Sequence, residues 1–166
     1  VDKKKFDPSH GYRKQRSIIT NASQHKNKKI LINFDLQEFF PSINFGRVYG
    51  YFIKNNKFQL SPEVAKVIAK IATTNNGLPQ GSPLSPLISN LIAENLDYRL
   101  TKVSKSIHCT DTRYVYDLSF SSNDKKIESH LFSKNHDPTF PSPEIIGIIE
   151  NCGFKINNKK TRISKR

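Results

Sequence analysis

Two acids stand where strand-like runs give way to turns. Asp35 closes the apolar run ILINFD (30–35), and Asp117 follows RYVY (113–116) at the tip of a tight hairpin leading into LSFSS (118–122). If the two runs are neighbours in one sheet, the carboxylates converge. A convergent pair suits Mg²⁺, a hard cation that takes oxygen ligands and commonly uses one or two protein carboxylates together with phosphates. An acid at a strand end also serves simply as a turn former, so neither residue decides the matter alone. The residue before Asp117 is Tyr116, whose phenol is uncharged at neutral pH and brings bulk where a second carboxylate would bring charge. Asp111 cannot complete the pair, because the strand between it and Asp117 spans roughly 20 Å at about 3.3 Å per residue.

Basic residues are abundant around these acids. Twenty-seven Lys and Arg against fourteen Asp and Glu give a formal charge of +13, which favours a polyanionic partner, nucleic acid or an anionic surface. Arg13, Lys14, Arg16, Lys26, Lys28 and Lys29 are interleaved with Tyr12 and His25. Such a segment can follow a phosphate backbone while the rings stack on bases, or it is a solvated surface. Lys159 and Lys160 form a second short run in NNKKTRI. No stretch approaches the about 20 apolar residues of a membrane span, so no membrane partner is expected. Cys109 and Cys152 lie far apart without metal-ligand spacing, the five histidines add none, and no secretory signal opens the chain. The expected setting is therefore reducing and cytoplasmic.

The elements that must position these residues follow from pattern. The first 29 residues are polar and basic, and ILINFDL then reads as a buried strand. FFPSI turns at Pro41, and the next helix places Phe45, Val48, Tyr49, Phe52 and Ile53 on one face. In LSPEVAKVIAKIATT, Ser61 can cap, Pro62 suits the first helical position and Glu63 favours the positive helix end. NNGLPQGSP is a loop, followed by a long helix through LTKV. IHCTDTRYVY and LSFSS are strands, DKKIESHLF and FPSPEIIGIIENCGF helices, and KINNKKTRIS predicts a hairpin centred on Asn157 and Asn158. The order predicts an α+β sandwich, with helices on one face of an antiparallel sheet.

FDLQEFF, LPQGSPLSPLISNLI, RYVYDLSF and GFKINNKKTRI, in that order and spacing, resemble the palm of a reverse transcriptase. The pattern is most similar to the bacterial enzymes of retrons and group II introns, and GYRKQRSIITNASQH resembles the retron type. The resemblance runs from about Gly11 to Ile163. It implies an RNA-directed DNA polymerase palm with part of the fingers, which uses two Mg²⁺ ions, an RNA template, a DNA primer and deoxynucleotides. By the same resemblance, Asp35, the Leu36 backbone and Asp117 are metal ligands, and Phe40 closes off space for a ribose 2′-hydroxyl. Gln80 and Gly81 line the nucleotide pocket, where glycine permits close backbone approach. Lys160, or Lys159 beside it, reaches the nucleotide phosphates, and Arg13, Lys14 and Arg16 hold nucleic acid. Without the resemblance, Phe40 reads equally as core packing, the loop as a turn and the lysines as solvated charge.

One position departs from the family pattern of Tyr, any residue, Asp, Asp: the first of those acids is Tyr116 here. Neither Glu38 nor Asp97 stands where it could replace that acid. The resemblance therefore implies an incomplete metal site and impaired synthesis, or else a catalytically inactive relative that binds structured RNA or regulates a partner. The expected organisation is a basic fingers-derived segment over 1–29 and a palm over 30–166. The chain stops before the primer-grip and thumb segments, as a fragment would.

Overall fold

The computed structural model of the chain describes residues 7–133 and 140–166. The basic KKKF run at 3–6 lies outside them. Contacts divide the chain into two compact units, one made of the residues up to Gln37 with Asn95–Arg166, the other of Glu38–Glu94. The basic segment from Asp7 onward falls within the first of these units.

In the first unit, β1 (Ile30–Gln37) pairs antiparallel with β3 (Asp117–Ser122), and β3 pairs with β2 (Thr110–Tyr114). Alternation along β1 puts Ile30, Ile32, Phe34 and Leu36 on one face, each at most 2% exposed. Opposite them across the ladder lie Phe120 and Leu118. The Phe34 ring packs against Phe120 and Phe132, with centroids 5.8 and 5.6 Å away. Helices α6 (Ile127–Leu131) and α7 (Pro143–Asn151) add Ile127, Leu131, Ile145 and Ile149 to this core. The other face of the ladder is polar, carrying Asn33, Asp35, Asp117, Ser119, Ser121, Thr110 and Thr112. Near β2 it meets α1 (Ile18–Gln24), whose C-cap His25 bonds Ser121 Oγ at 2.6 Å and Thr112 Oγ1 at 2.7 Å.

The expected C-terminal hairpin does not form. β4 (Lys155–Ile156) and β5 (Arg162–Lys165) both pair antiparallel with β1, at Leu36–Gln37 and at Ile30–Asn33 respectively. The segment is one edge strand interrupted by a 3-10 turn over Asn158–Lys160. Asn-Asn is good hairpin chemistry locally, but the open edge of β1 offers two stretches of ladder, and long-range pairing wins. The interruption bulges opposite Asp35, where the Asn157 N–H donates to the Asp35 carbonyl at 2.8 Å.

In the second unit, α2 (Phe39–Ser42) is a single turn, and α3 (Phe45–Lys54) packs on α4 (Pro62–Ala72). Ser61 caps α4 by accepting from the Val64 N–H, with Pro62 at the first helical position as expected. The buried face of α4 is its alanine face, Ala65, Ala69 and Ala72, while Val64, Val67 and Ile71 face outward. Small side chains permit close packing on α3, at the cost of leaving larger apolar residues in water. The long helix α5 (Leu84–Ser106) runs across the boundary of the two units. Among the described residues, no helix is long and apolar enough to cross a membrane.

Candidate active site

Asp35 and Asp117 are direct cross-strand partners on the polar face. The Leu36 N–H donates to the Tyr116 carbonyl at 2.9 Å, which makes the 36/116 rung a hydrogen-bonded one. Rungs alternate in an antiparallel ladder, so Asp35 and Asp117 form a non-hydrogen-bonded pair, the kind whose side chains approach most closely. Asp35 is 7% exposed, whereas Asp117 opens to solvent at the strand start. Lys160 Nζ reaches to 3.5 Å from Asp35 Oδ2, carried there by the bulge between β4 and β5. Partial loss of water, and then the facing Asp35, push the Asp117 carboxyl above its ordinary value, with Lys160 and Arg162 opposing them. Two acids that repel each other this way gain from a cation between them. Tyr116 lies beside the pair at the hairpin tip, 41% exposed.

The turn that presents Asp117 is held from below by groups that no motif singles out. Arg113 is 1% exposed and grips Asp97 of α5 with two bonds, Nε to Oδ1 at 2.6 Å and Nη2 to Oδ2 at 2.8 Å. Its Nη1 donates to the Val115 carbonyl at 2.8 Å. Val115 is left-handed, with φ +59°, a conformation a β-branched residue adopts only under constraint. The available signal was polarity: Asp111 and Arg113 alternate onto the apolar face of β2, and charges at core-facing positions require partners. Asp111 bonds there to Thr101 at 2.6 Å, on the face away from Asp35 and Asp117. Burial raises its pKa.

The remaining candidates fall in two places. Phe40 lies in α2 of the second unit, and its carbonyl accepts from the Leu78 N–H at 3.1 Å, which ties it to the loop carrying Gln80 and Gly81. Gly81 has φ +91° with open space around it, so conformation rather than crowding calls for glycine. In the basic segment Lys14 is exposed, but Arg13 meets Asp7 at 3.4 Å. Arg16 Nη1 donates to the carbonyls of Asp7 and Ser9. Both arginines thus fasten the segment to itself, and Lys14 is the freer of the three for an outside anion. Lys159 is exposed on the 3-10 turn.

The model of the family described as reverse transcriptase (RNA-dependent DNA polymerase) matches residues 2–166. The chain belongs to the reverse transcriptase family. Among curated relatives, it is 37% identical over 167 residues to the retron Ec86 reverse transcriptase of Escherichia coli, an alignment covering 99% of this chain and 48% of that protein. It is 30% identical to the retron Mx162 reverse transcriptase of Myxococcus xanthus, over 95% of this chain and 36% of that protein. The chain therefore spans about a third to a half of the length of these relatives. Among solved structures, apo telomerase from Candida tropicalis aligns with a TM-score of 0.55 at 13% identity, over 82% of this chain and 30% of that one. Telomerase from the same organism, with a fragment of telomeric RNA, gives 0.53 at 16%, over 89% and 28%. These likenesses confirm the α+β palm fold of a reverse transcriptase, and the retron relatives place the chain with the bacterial retron type.

The donors in this reverse-transcriptase palm fit one hard cation. Among the described residues, no group of three or more His, Cys, Asp or Glu is arranged to hold a metal ion. Asp35 and Asp117 supply two carboxylates, the number Mg²⁺ ordinarily takes from protein when waters and substrate phosphates complete its shell. The Leu36 carbonyl is a neighbouring backbone oxygen.

Proposed function

We propose that the chain is the palm of a retron-type RNA-directed DNA polymerase, a nucleotidyl-transfer centre impaired by its reduced set of carboxylates. The observation that carries this reading is the face-to-face placement of Asp35 and Asp117 on one rung, with Lys160 reaching the same carboxylate. Asp35, Asp117 and the Leu36 carbonyl would hold Mg²⁺, which when bound lowers the barrier by stabilising the attacking and leaving oxygens at phosphorus. Lys160 exchanges its contact with Asp35 for the phosphates of an incoming deoxynucleotide. Phe40 bars a 2′-hydroxyl, while Gln80 and Gly81 line the pocket around the base pair being formed. Lys14, with the exposed lysines of the same segment, tracks the RNA template or primer duplex. The retron relatives support this assignment of substrates, the solved telomerase with an RNA fragment supports a nucleic-acid partner, and the setting would be the bacterial cytoplasm.

Tyr116 favours a second reading, a catalytically inactive protein that binds structured RNA or regulates a partner. A phenol adds no negative charge beside Asp117 and fills space next to it. The decisive experiment is primer extension by the full-length protein with Tyr or Asp at 116, alongside Mg²⁺ and Mn²⁺ titrations. Tyr116→Asp should tighten divalent-ion binding and raise synthesis by orders of magnitude, because correct placement of ions governs charge stabilisation in transfer. Equal, robust synthesis by both proteins would refute the impaired-site reading. No synthesis by either would leave the RNA-binding one.

A further inference from the structure

We propose that Arg113 is a positioning residue for the carboxylate pair: its guanidinium, braced by Asp97, locks the Val115–Tyr116 turn so that Asp117 stands opposite Asp35. The inference deepens the polymerase reading, on which the importance of that pair rests.

Three groups of contacts converge on the turn. The fork to Asp97 fixes the guanidinium plane, since two parallel bonds leave it little freedom to rotate. From that fixed plane Nη1 donates to the Val115 carbonyl at 2.8 Å, while Nη2 also reaches Ser9 Oγ at 3.2 Å. The backbone of the same residue is clamped to the chain's N-terminal segment, the Arg113 N–H donating to the Pro8 carbonyl at 2.9 Å and the His10 N–H to the Arg113 carbonyl at 2.7 Å. Gly11 then packs so tightly under the turn that a Cβ there would meet Val115 Cγ2 and N at 2.7 Å.

What this holds in place is a conformation Val115 would otherwise leave. At φ +59° its Cβ crowds the backbone, and a valine released from constraint returns to negative φ. Such a flip turns the Val115–Tyr116 peptide, and the carbonyl of Tyr116 loses the Leu36 N–H that closes the last rung before the acids. Without that rung, Asp117 has nothing to keep it in register with Asp35. Arg113 thus acts on the acids through two backbone bonds and touches neither. A purely structural charge pair would steady the core as a whole, without favouring one rung.

The test is amide hydrogen exchange, read residue by residue in the full-length protein, comparing Leu36 with Phe34 on the next hydrogen-bonded rung of the same ladder. Because Arg113→Ala would leave Asp97 buried and unpaired and could fail to fold, the informative variants are two. The combined Arg113→Met and Asp97→Leu change removes both charges and keeps volume. Arg113→Lys keeps the charge but cannot serve Asp97 and Val115 together. In both, exchange at Leu36 should accelerate relative to Phe34 by about tenfold or more, the loss expected for a charge-assisted bond. Equal acceleration at the two amides, or none, would overturn the proposal, as would wild-type protection of Leu36 in Arg113→Lys. None of these amides needs metal, nucleotide or RNA, so a Mn²⁺ titration of the wild type separates the readings. Selective exchange with no Mn²⁺ binding would remove the polymerase reading and keep the positioning role.

Discussion

The carboxylate pair should destabilise the metal-free protein, and Asp117→Asn should therefore stabilise it. Asp35 and Asp117 face each other on a non-hydrogen-bonded rung. Unit charges about 5 Å apart repel by about 0.8 kcal/mol in water and about 3 kcal/mol at an effective dielectric of about 20. Asp117 is exposed and Lys160 sits 3.5 Å from Asp35, so solvent screening and that cation hold the gain to about 1 kcal/mol. For a chain of this size, that raises the unfolding midpoint by about 2–4 °C. The sign with pH follows from the upward shift of Asp117 in the folded state. The penalty is fully present above its folded pKa and vanishes below the unfolded value near about 3.9, so the gain should disappear at about pH 3. Excess Mg²⁺ should reverse the ranking, since an ion tenfold above its Kd adds about 1.4 kcal/mol to whichever protein binds it. Thermal unfolding with chelator and with Mg²⁺, at pH 7 and pH 3, measures all three effects. A variant less stable than wild type in chelator at pH 7, or a gain that persists unchanged at pH 3, would refute the reasoning.

Burial, and then His10 and Lys28, lower the pKa of His25 to about 4, so its neutral ring stabilises the fold above about pH 6.5 and this is lost as pH falls toward about 4. Unfolding between pH 7 and 4.5 should show wild type losing about 2 kcal/mol more than His25→Gln. RNA affinity should fall steeply with salt, and Lys14→Glu should weaken binding alike across sequences. Arg16→Glu should also lower the unfolding midpoint, because Arg16 holds the carbonyls of Asp7 and Ser9; filter binding and thermal scans separate the two. In a complete, active enzyme, Phe40→Ala should relax exclusion of ribonucleotides, measured as the ratio of deoxy- to ribonucleotide incorporation, and an unchanged ratio would leave Phe40 to packing.

The parts of this architecture that were legible in the sequence are those set by local chemistry. The Ser61–Pro62 start of α4 is one case, and the apolar alternation that makes Ile30–Gln37 a strand is another. Motif order then brought Asp35 and Asp117 onto one rung. The C-terminal segment resisted, because Asn157 and Asn158 satisfy hairpin rules while the competing partner, the far edge of β1, lies far away in sequence. Arg113 resisted for a related reason. An arginine in a strand ordinarily faces water, and its buried partner Asp97 sits on a helix among Leu96 and Leu100. Only the sheet's pleat tells that Arg113 points inward, toward that helix. The outward Val64, Val67 and Ile71 reverse the usual preference, since the alanines allow closer helix packing than the larger residues would.

The central place of β1 also dictates a timetable. Asn33 meets Ser119 across 86 residues of sequence, and Asp35 meets Lys160 across 125. During synthesis at about 5–20 residues per second, the strand carrying Asp35 exists for roughly 6 to 25 s before its last neighbour has been made. Through that interval ILINF presents two unpaired edges and an uncovered apolar face, the arrangement most prone to join another chain. The polar and basic residues of 7–29 are made just before it, and their like charges discourage two nascent chains from meeting there. Ribosome-bound intermediates that stop short of residue 155 should accordingly be protease-sensitive at β1 and recruit chaperones.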